Sequence, residues 1–175
     1  MGRVVIETKK LKEMLKNVRH AISKELFRPV FTGILLESDK KELSMVTCDG
    51  YKLFKSVSEV MEGNKFKVVV PLFSIPKEAD DNTIIETRKG FVKFDFGSVK
   101  QIYKIIEGEF IDYKPLLIRE NKFSIIFDSK YLKEALTNSQ GRVQLYFCGD
   151  RDAVIIEDTL NKNNQKLVLP IAKPY

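Results

Sequence analysis

Apolar and polar positions alternate, or recur at helical spacing, along most of the chain. Residues 3–8 alternate as a first strand. Residues 9–23 read as a helix, with Leu11, Leu15, Val18 and Ile22 at i, i+4, i+7 and i+11 on one buried stripe. Residues 25–32 form a loop around Arg28-Pro29. From Gly33 to Lys55 the pattern predicts an antiparallel meander of three strands and two tight turns. Its first strand covers residues 34–37, followed by the charged turn Ser38-Asp39-Lys40-Lys41. Leu43, Met45 and Thr47 alternate with Ser44 and Val46, and Cys48-Asp49-Gly50 makes a hairpin turn whose glycine supplies positive φ. Residues 53–57 return.

Further on, a turn at Gly63-Asn64 leads to a strand at 65–70. Residues 71–79 occupy the place of a second helix, which Pro76 would interrupt or shorten. Strands are expected at 83–87, at 91–96 after the Lys89-Gly90 turn, and at 100–105. Phe91, Lys93 and Asp95 should face away from Val92, Phe94 and Phe96. Beyond a linker at 112–115 come a strand at 122–127 and a helix at 129–137 with an Asp or Ser cap. Strands at 143–148, 153–157 and 166–171 follow, with polar turns at 149–152 and 161–164. Strand, helix, three strands thus occurs three times at a period of roughly 60 residues, an α+β chain with an internal structural repeat.

Composition narrows the functional classes. With 175 residues and 43% hydrophobic content, the chain can build one domain, or a domain and a half of small modules. A net charge of +6 favours an acidic partner such as nucleic acid or an anionic surface. No run of about 18 apolar residues predicts a membrane span, and the N-terminus lacks the apolar core of a signal peptide. Cys48 and Cys148 have neither metal-site nor redox spacing, so reduced strand cysteines in a cytoplasmic protein are expected, with no metal and no cofactor. Catalysis finds little support: His20 is the only histidine, and no P-loop, dinucleotide fingerprint or nucleophile–base pair is present. Asp49, Asp112, Asp150, Asp152 and Asp158 fall in turns or at strand ends, where carboxylates usually bond their own backbone. A small hydrolase or nuclease built on them is a competing reading. On the first helix, Lys9, Lys12, Lys16 and Arg19 recur at i, i+3, i+7 and i+10, away from the apolar stripe. A solvated lysine face and a phosphate-contacting stripe both fit that pattern.

Several of these stretches, in order, resemble bacterial DNA sliding clamps, the beta subunit of DNA polymerase III. Gly33-Ile-Leu-Leu-Glu37 and Cys48-Asp49-Gly50-Tyr51-Lys52-Leu53 are similar to the family's Gly-x-Leu-x-Glu strand and Thr-Asp-Gly-(His/Tyr)-Arg-Leu turn, with cysteine for threonine and lysine for arginine. Glu107-Gly-Glu-Phe-Ile-Asp-Tyr113 resembles its Asp-Gly-x-Phe-Pro-Asp-Tyr linker. Residues 127–136 resemble its last helix, and Leu167-Val-Leu-Pro-Ile171 its C-terminal strand, although the family's usual Pro-Met-Arg-Leu ending is replaced. The resemblance implies a DNA-clamp fold in which each domain has two halves, helices lining a hole and sheets forming the outer wall. Residues 1–117 would make one complete domain, of halves 1–62 and 63–117, and 118–175 the closing half of another. Three halves in place of three full domains imply completion by another copy, with dimers or tetramers that could close a ring.

By the same resemblance the protein is a non-enzymatic processivity factor that encircles double-stranded DNA. Lys9, Lys12, Lys16, Arg19, Lys130 and Lys133 would meet phosphates. Short Leu/Phe peptides of a DNA polymerase or other replication proteins would enter a greasy pocket. Its residues would be Phe31, Cys48, Gly50, Tyr51, Lys52, Leu53, Tyr131, Leu167, Leu169 and Pro170, and a clamp loader is a further possible partner. The competitors are an α+β module that binds DNA without enclosing it and a clamp-mimicking regulator of replication.

Overall fold

The computed structural model describes residues 2–118, 123–139 and 141–171. It divides into two units, Met1–Asp112 and Tyr113–Tyr175. Both are α+β, with antiparallel sheets throughout.

In the first unit, strand β1 (Gly2–Glu7) runs into helix α1 (Thr8–Val18) and a 3-10 turn at Arg19–Ala21. Strands β2 (Gly33–Ser38), β3 (Glu42–Cys48) and β4 (Leu53–Glu59) form the expected meander, and β5 (Glu62–Gly63) is a short addition. Strands β6 (Phe66–Pro71), β7 (Asn82–Arg88), β8 (Phe91–Asp95) and β9 (Lys100–Lys104) complete the unit. The sheets do not follow chain order. One is β4-β3-β2-β6 and the other β5-β1-β7-β8-β9, so β1 and β6 have crossed over. β1 pairs with β7 through Val4↔Ile85, and β6 pairs with β2 through Val70↔Ile34.

Burial explains the pattern. Val4, Ile6, Leu11, Met14, Val18, Ile34, Leu36, Ile85, Val92, Phe94 and Phe96 share one core between the sheets and α1. The helix is shorter than its periodicity suggested, ending at Val18, whose carbonyl accepts the buried Thr47 hydroxyl at 2.6 Å. Met14 joins Leu11 and Val18 in the core, while Leu15 and Ile22 are half-buried. Gly33 is a glycine for want of room: a Cβ there would lie 2.6 Å from the Val70 carbonyl oxygen. Gly50 (φ 93°) turns the β3–β4 hairpin, with Asp49 Oδ1 accepting the Tyr51 and Lys52 N–H groups at 3.0 Å each.

No helix forms between β6 and β7. Pro71 and Pro76 remove backbone donors there, and the core needs the segment's side chains in a non-helical arrangement. Phe73 is buried and stacks on Phe94 with ring centroids 4.2 Å apart. The segment's end is tied to α1, since the Thr8 N–H donates to the Asp81 carbonyl at 2.7 Å and its hydroxyl to the Asp80 carbonyl at 2.6 Å.

The second unit holds helix α2 (Ser129–Thr137) and a sheet of β10 (Val143–Phe147), β11 (Val154–Asp158) and β12 (Gln165–Val168), in that order. Asp128 caps α2 by accepting the Lys130 N–H at 2.7 Å. The strand expected at 122–127 makes no sheet ladder over 123–127, and Lys122 lies outside the described residues. One bond marks its place, from the Ile171 N–H to the Ile126 carbonyl at 2.8 Å. β12 ends at Val168, three residues before the expected limit. Val154, Ile156 and Val168 are buried under Phe127, Leu132 and Ala135, yet no residue of α2 is itself buried. Lys166 Nζ reaches Asp158 Oδ1 at 3.3 Å and the Ser139 hydroxyl at 2.7 Å beside this core. The Ser139 hydroxyl, then Lys166 and Asn164, hold the Asp158 carboxyl below its ordinary range.

Candidate nucleic-acid interface and peptide groove

Helix α1 carries the strongest candidate site. Its apolar side is locked into the core, which fixes the opposite side in space. Lys9, Lys12 and Lys16 all point to solvent, and Arg19 continues them from the 3-10 turn. Among the described residues none of these four makes an ion pair. Lys10 differs: its ammonium contacts Glu7 at 2.8 Å, and that carboxylate raises its pKa above the usual lysine value. The helix has no acidic residue in its first turn, and Lys16 sits favourably at its C-terminal end. His20, in the same 3-10 turn as Arg19, is also exposed. The result is a stationary stripe of cations, suited to phosphate contact without base reading. In the second unit Lys130 and Lys133 are exposed on α2.

The pocket residues are spread over both units. In the first, Cys48, Gly50, Tyr51, Lys52 and Leu53 are contiguous around the β3–β4 turn. Cys48 is buried, Leu53 is half-buried and Tyr51 stands 96% exposed. Lys52 reaches Asp49 at 3.4 Å, and the Asp49 carboxyl is held below its ordinary range mainly by the Tyr51 N–H. Phe31 is buried beneath Phe110, edge to face at 5.6 Å, with the Arg28 guanidinium 5.6 Å from its ring centroid. In the second unit Tyr131 is exposed, Leu167 is 62% and Leu169 68% exposed, and Pro170 is half-buried. The core position of that stretch is Val168, so Leu167 and Leu169 are free to meet a ligand.

Two exposed apolar groups lie outside the candidate residues, one in the loop at 25–32 and one just after the linker at 112–115. Leu26 and Phe27 project from the loop before β2, and Leu116, Leu117 and Ile118 follow Pro115. The signal was present as consecutive apolar residues in segments without periodicity. Among the described residues, no group of three or more His, Cys, Asp or Glu side chains could hold a metal ion. No helix among them is long and apolar enough to cross a membrane.

Comparison with known proteins places this geometry. Residues 5–112 match the family model of the DNA polymerase III beta subunit, central domain. A beta sliding clamp from Buchnera aphidicola subsp. Rhopalosiphum padi is 27% identical over 168 residues, covering 90% of this chain and 43% of that protein. The beta sliding clamp of Bacillus subtilis is 26% identical over 144 residues, covering 76% of this chain and 37% of that protein. Among solved structures, a DNA polymerase sliding clamp from Pseudomonas aeruginosa superposes with a TM-score of 0.82 at 20% identity, over 98% of this chain and 52% of that one. The beta subunit from DNA polymerase of Streptococcus pyogenes gives 0.81 at 17% identity, over 97% and 50%. The fold is that of these clamps. The chain spans less than half the length of the curated relatives it matches.

Proposed function

The chain belongs to the family of the DNA polymerase III beta subunit, matched through its central domain, and on that premise we propose that it is a clamp-like processivity factor for a DNA polymerase. In this reading copies of the chain encircle duplex DNA and hold a polymerase on it without catalysing a reaction themselves. The observation that carries the reading is the unpaired cationic stripe Lys9, Lys12, Lys16 and Arg19 on a helix whose other side is anchored by Leu11, Met14 and Val18. Sliding needs many weak contacts of equal strength along the backbone, and a fixed row of lysines supplies them. Lys130 and Lys133, exposed on α2, would be further phosphate contacts.

The domain reading goes with it: residues 1–117 as one two-half domain, and 118–175 as a third half completed by another copy. Client peptides with Leu and Phe anchors would be met by Phe31, Cys48, Gly50, Tyr51, Lys52 and Leu53 of the first unit, and by Tyr131, Leu167, Leu169 and Pro170 of the second. A few buried anchors supply most of the affinity in such grooves. A clamp loader would be required wherever the ring closes before meeting a circle.

One observation favours a second reading, a module that lies beside DNA. The segment between β6 and β7 has no helix and carries Glu78, Asp80 and Asp81 beside Lys77, so it offers no helical row of cations to match that of α1. Retention on covalently closed circular DNA separates the two. Encirclement predicts that the protein stays on the circle through a high-salt wash and leaves when the circle is cut once. Equal retention on circular and linear DNA overturns it.

A further inference from the structure

The stretches that open the three repeated segments, β1, β6 and residues 123–127, each accept a backbone bond from further along their own segment, and β1 also pairs with β5. The Met61 N–H donates to Val5 at 2.8 Å, the Ile106 N–H to Val69 at 2.8 Å, and the Ile171 N–H to Ile126 at 2.8 Å. These acceptors are equivalent: Val5 lies three residues before the first residue of α1, and Ile126 three before the first of α2. In the first unit the opposite edge of each opening strand is taken by the other segment, β1 by β7 and β6 by β2. In the second unit both corresponding edges lack a ladder partner among the described residues. Residues 123–127 form no ladder, and β10 pairs only with β11.

We propose that two copies of the chain exchange these edges, residues 123–127 of each pairing antiparallel with β10 of the other around a twofold axis. Transferring the first unit's register sets the alignment. There Ile6 faces Thr83, Val4 faces Ile85, Val70 faces Ile34 and Val68 faces Leu36. The inward residues of the second unit then match as Phe127 with Val143, Ile125 with Leu145 and Phe123 with Phe147.

Two independent features specify a second copy as the occupant. First, the surface is apolar where it should be covered: Leu145 is 43% and Phe147 49% exposed, although their ladder partners Ile156 and Val154 are buried. With Phe123 and Leu136, also partly exposed, this leaves roughly 300–400 Å² of apolar surface per copy, taking ~200 Å² for a whole aromatic side chain. Two copies and their paired strand edges would enclose on the order of 1,200 Å², the lower end of the range for a specific dimer. Second, every other sheet edge carries a charge that discourages pairing: Lys55 on β4, Glu62 on β5, Lys67 on β6, Lys100 on β9 and Lys166 on β12. β10, Val-Gln-Leu-Tyr-Phe, has none, and neither does Phe-Ser-Ile-Ile-Phe at 123–127. Two uncharged edges that the first unit's topology matches to each other are self-complementary under twofold symmetry.

The test is a cysteine pair on the solvent side of the proposed ladder. Ser124→Cys and Tyr146→Cys would lie directly opposite across a pair that is not hydrogen-bonded, close enough for a disulfide. They are placed in full-length protein with Cys148→Ser. Mild oxidation of the double variant is expected to give a covalent species of two chains. An equimolar mixture of the two single variants should give the same species, and neither single variant alone should give it. Absence of the two-chain species from protein with an intact circular-dichroism spectrum overturns the pairing, and so does a bond closed within one chain. Ser124→Cys with Gln144→Cys, one step out of register, is expected to cross-link several-fold more slowly, and equal rates overturn the register. The pairing supplies the assembly that encirclement needs but stands without it. A cross-linked dimer that fails the circle test supports the pairing and removes only the clamp function.

Discussion

Helix α1 and helix α2 carry similar amphipathic patterns and meet different fates. α1 packs against strands of both sheets in its unit, and Leu11, Met14 and Val18 are buried completely or nearly so. α2 lies over part of one three-stranded sheet; Leu132 and Ala135 are half-buried and Leu136 stays exposed. The sequences of the two helices are not the cause. What differs is the number of segments that close around them, two in the first unit and one in the second. Amphipathicity therefore says that a face must be covered and leaves open what covers it.

The sharpest way to break this contrast is to open a cavity in each unit. Phe94→Ala in the first unit removes a ring that contacts Phe73, Phe96 and Tyr103 and should cost ~3–5 kcal/mol. Urea denaturation would read this as a lowered midpoint that does not depend on protein concentration. Ile156→Ala in the second unit should cost about 2–3 kcal/mol, with a midpoint that rises with concentration because assembly contributes. A concentration-independent midpoint there would make the second unit as self-sufficient as the first.

Next in size is the charge on the two helices. Lys12→Glu with Lys16→Glu should weaken duplex binding about tenfold or more and reduce the salt slope by about 2, one phosphate contact per lysine. Lys130→Glu with Lys133→Glu should act in the same direction. An unchanged slope for either pair removes that helix from the interface. Leu169→Ala should loosen a Leu/Phe peptide by ~1–2 kcal/mol in a fluorescence titration, with the helical circular dichroism unchanged. No change in affinity would take Leu169 out of the groove.

The smallest effect is pH dependence confined to the second unit. Because the Asp158 carboxyl lies below its ordinary value near 3.8, its stabilisation is fully present above that pH. It is lost as pH falls through the lower folded value. The second unit should therefore melt earlier at pH 3 than at pH 6, and Asp158→Asn should flatten that dependence. Equal sensitivity in the variant would assign the acid transition elsewhere.

Much of this was legible in the residues. The 2-residue alternation in β7 and β8 matches their inward and outward faces, and Asp49-Gly50 marked its hairpin because the turn chemistry is local. The cationic stripe was readable for the same reason, since lysines at helical spacing share a side wherever the helix packs. Three things were not. The early end of α1 depends on Thr47, which is 29 residues away in sequence from the Val18 carbonyl it bonds. The crossing of β1 and β6 between sheets leaves no local mark, because a buried strand reads alike in either sheet. Residues 123–127 have a strand's composition and no ladder, since pairing needs a partner edge that local composition does not specify. For the candidate groove, sequence similarity indicated the turn from Cys48 to Leu53, whereas the exposure of Leu167 and Leu169 around buried Val168 emerged only from the packing.

Solution mass measured by light scattering across a micromolar concentration series bears most directly on whether the second unit is finished by another copy. Two chains, or four where a ring closes, is the expected result, with Leu145→Lys shifting it toward one. A mass of one chain throughout the series would contradict both the completion of the second unit and any ring built from it.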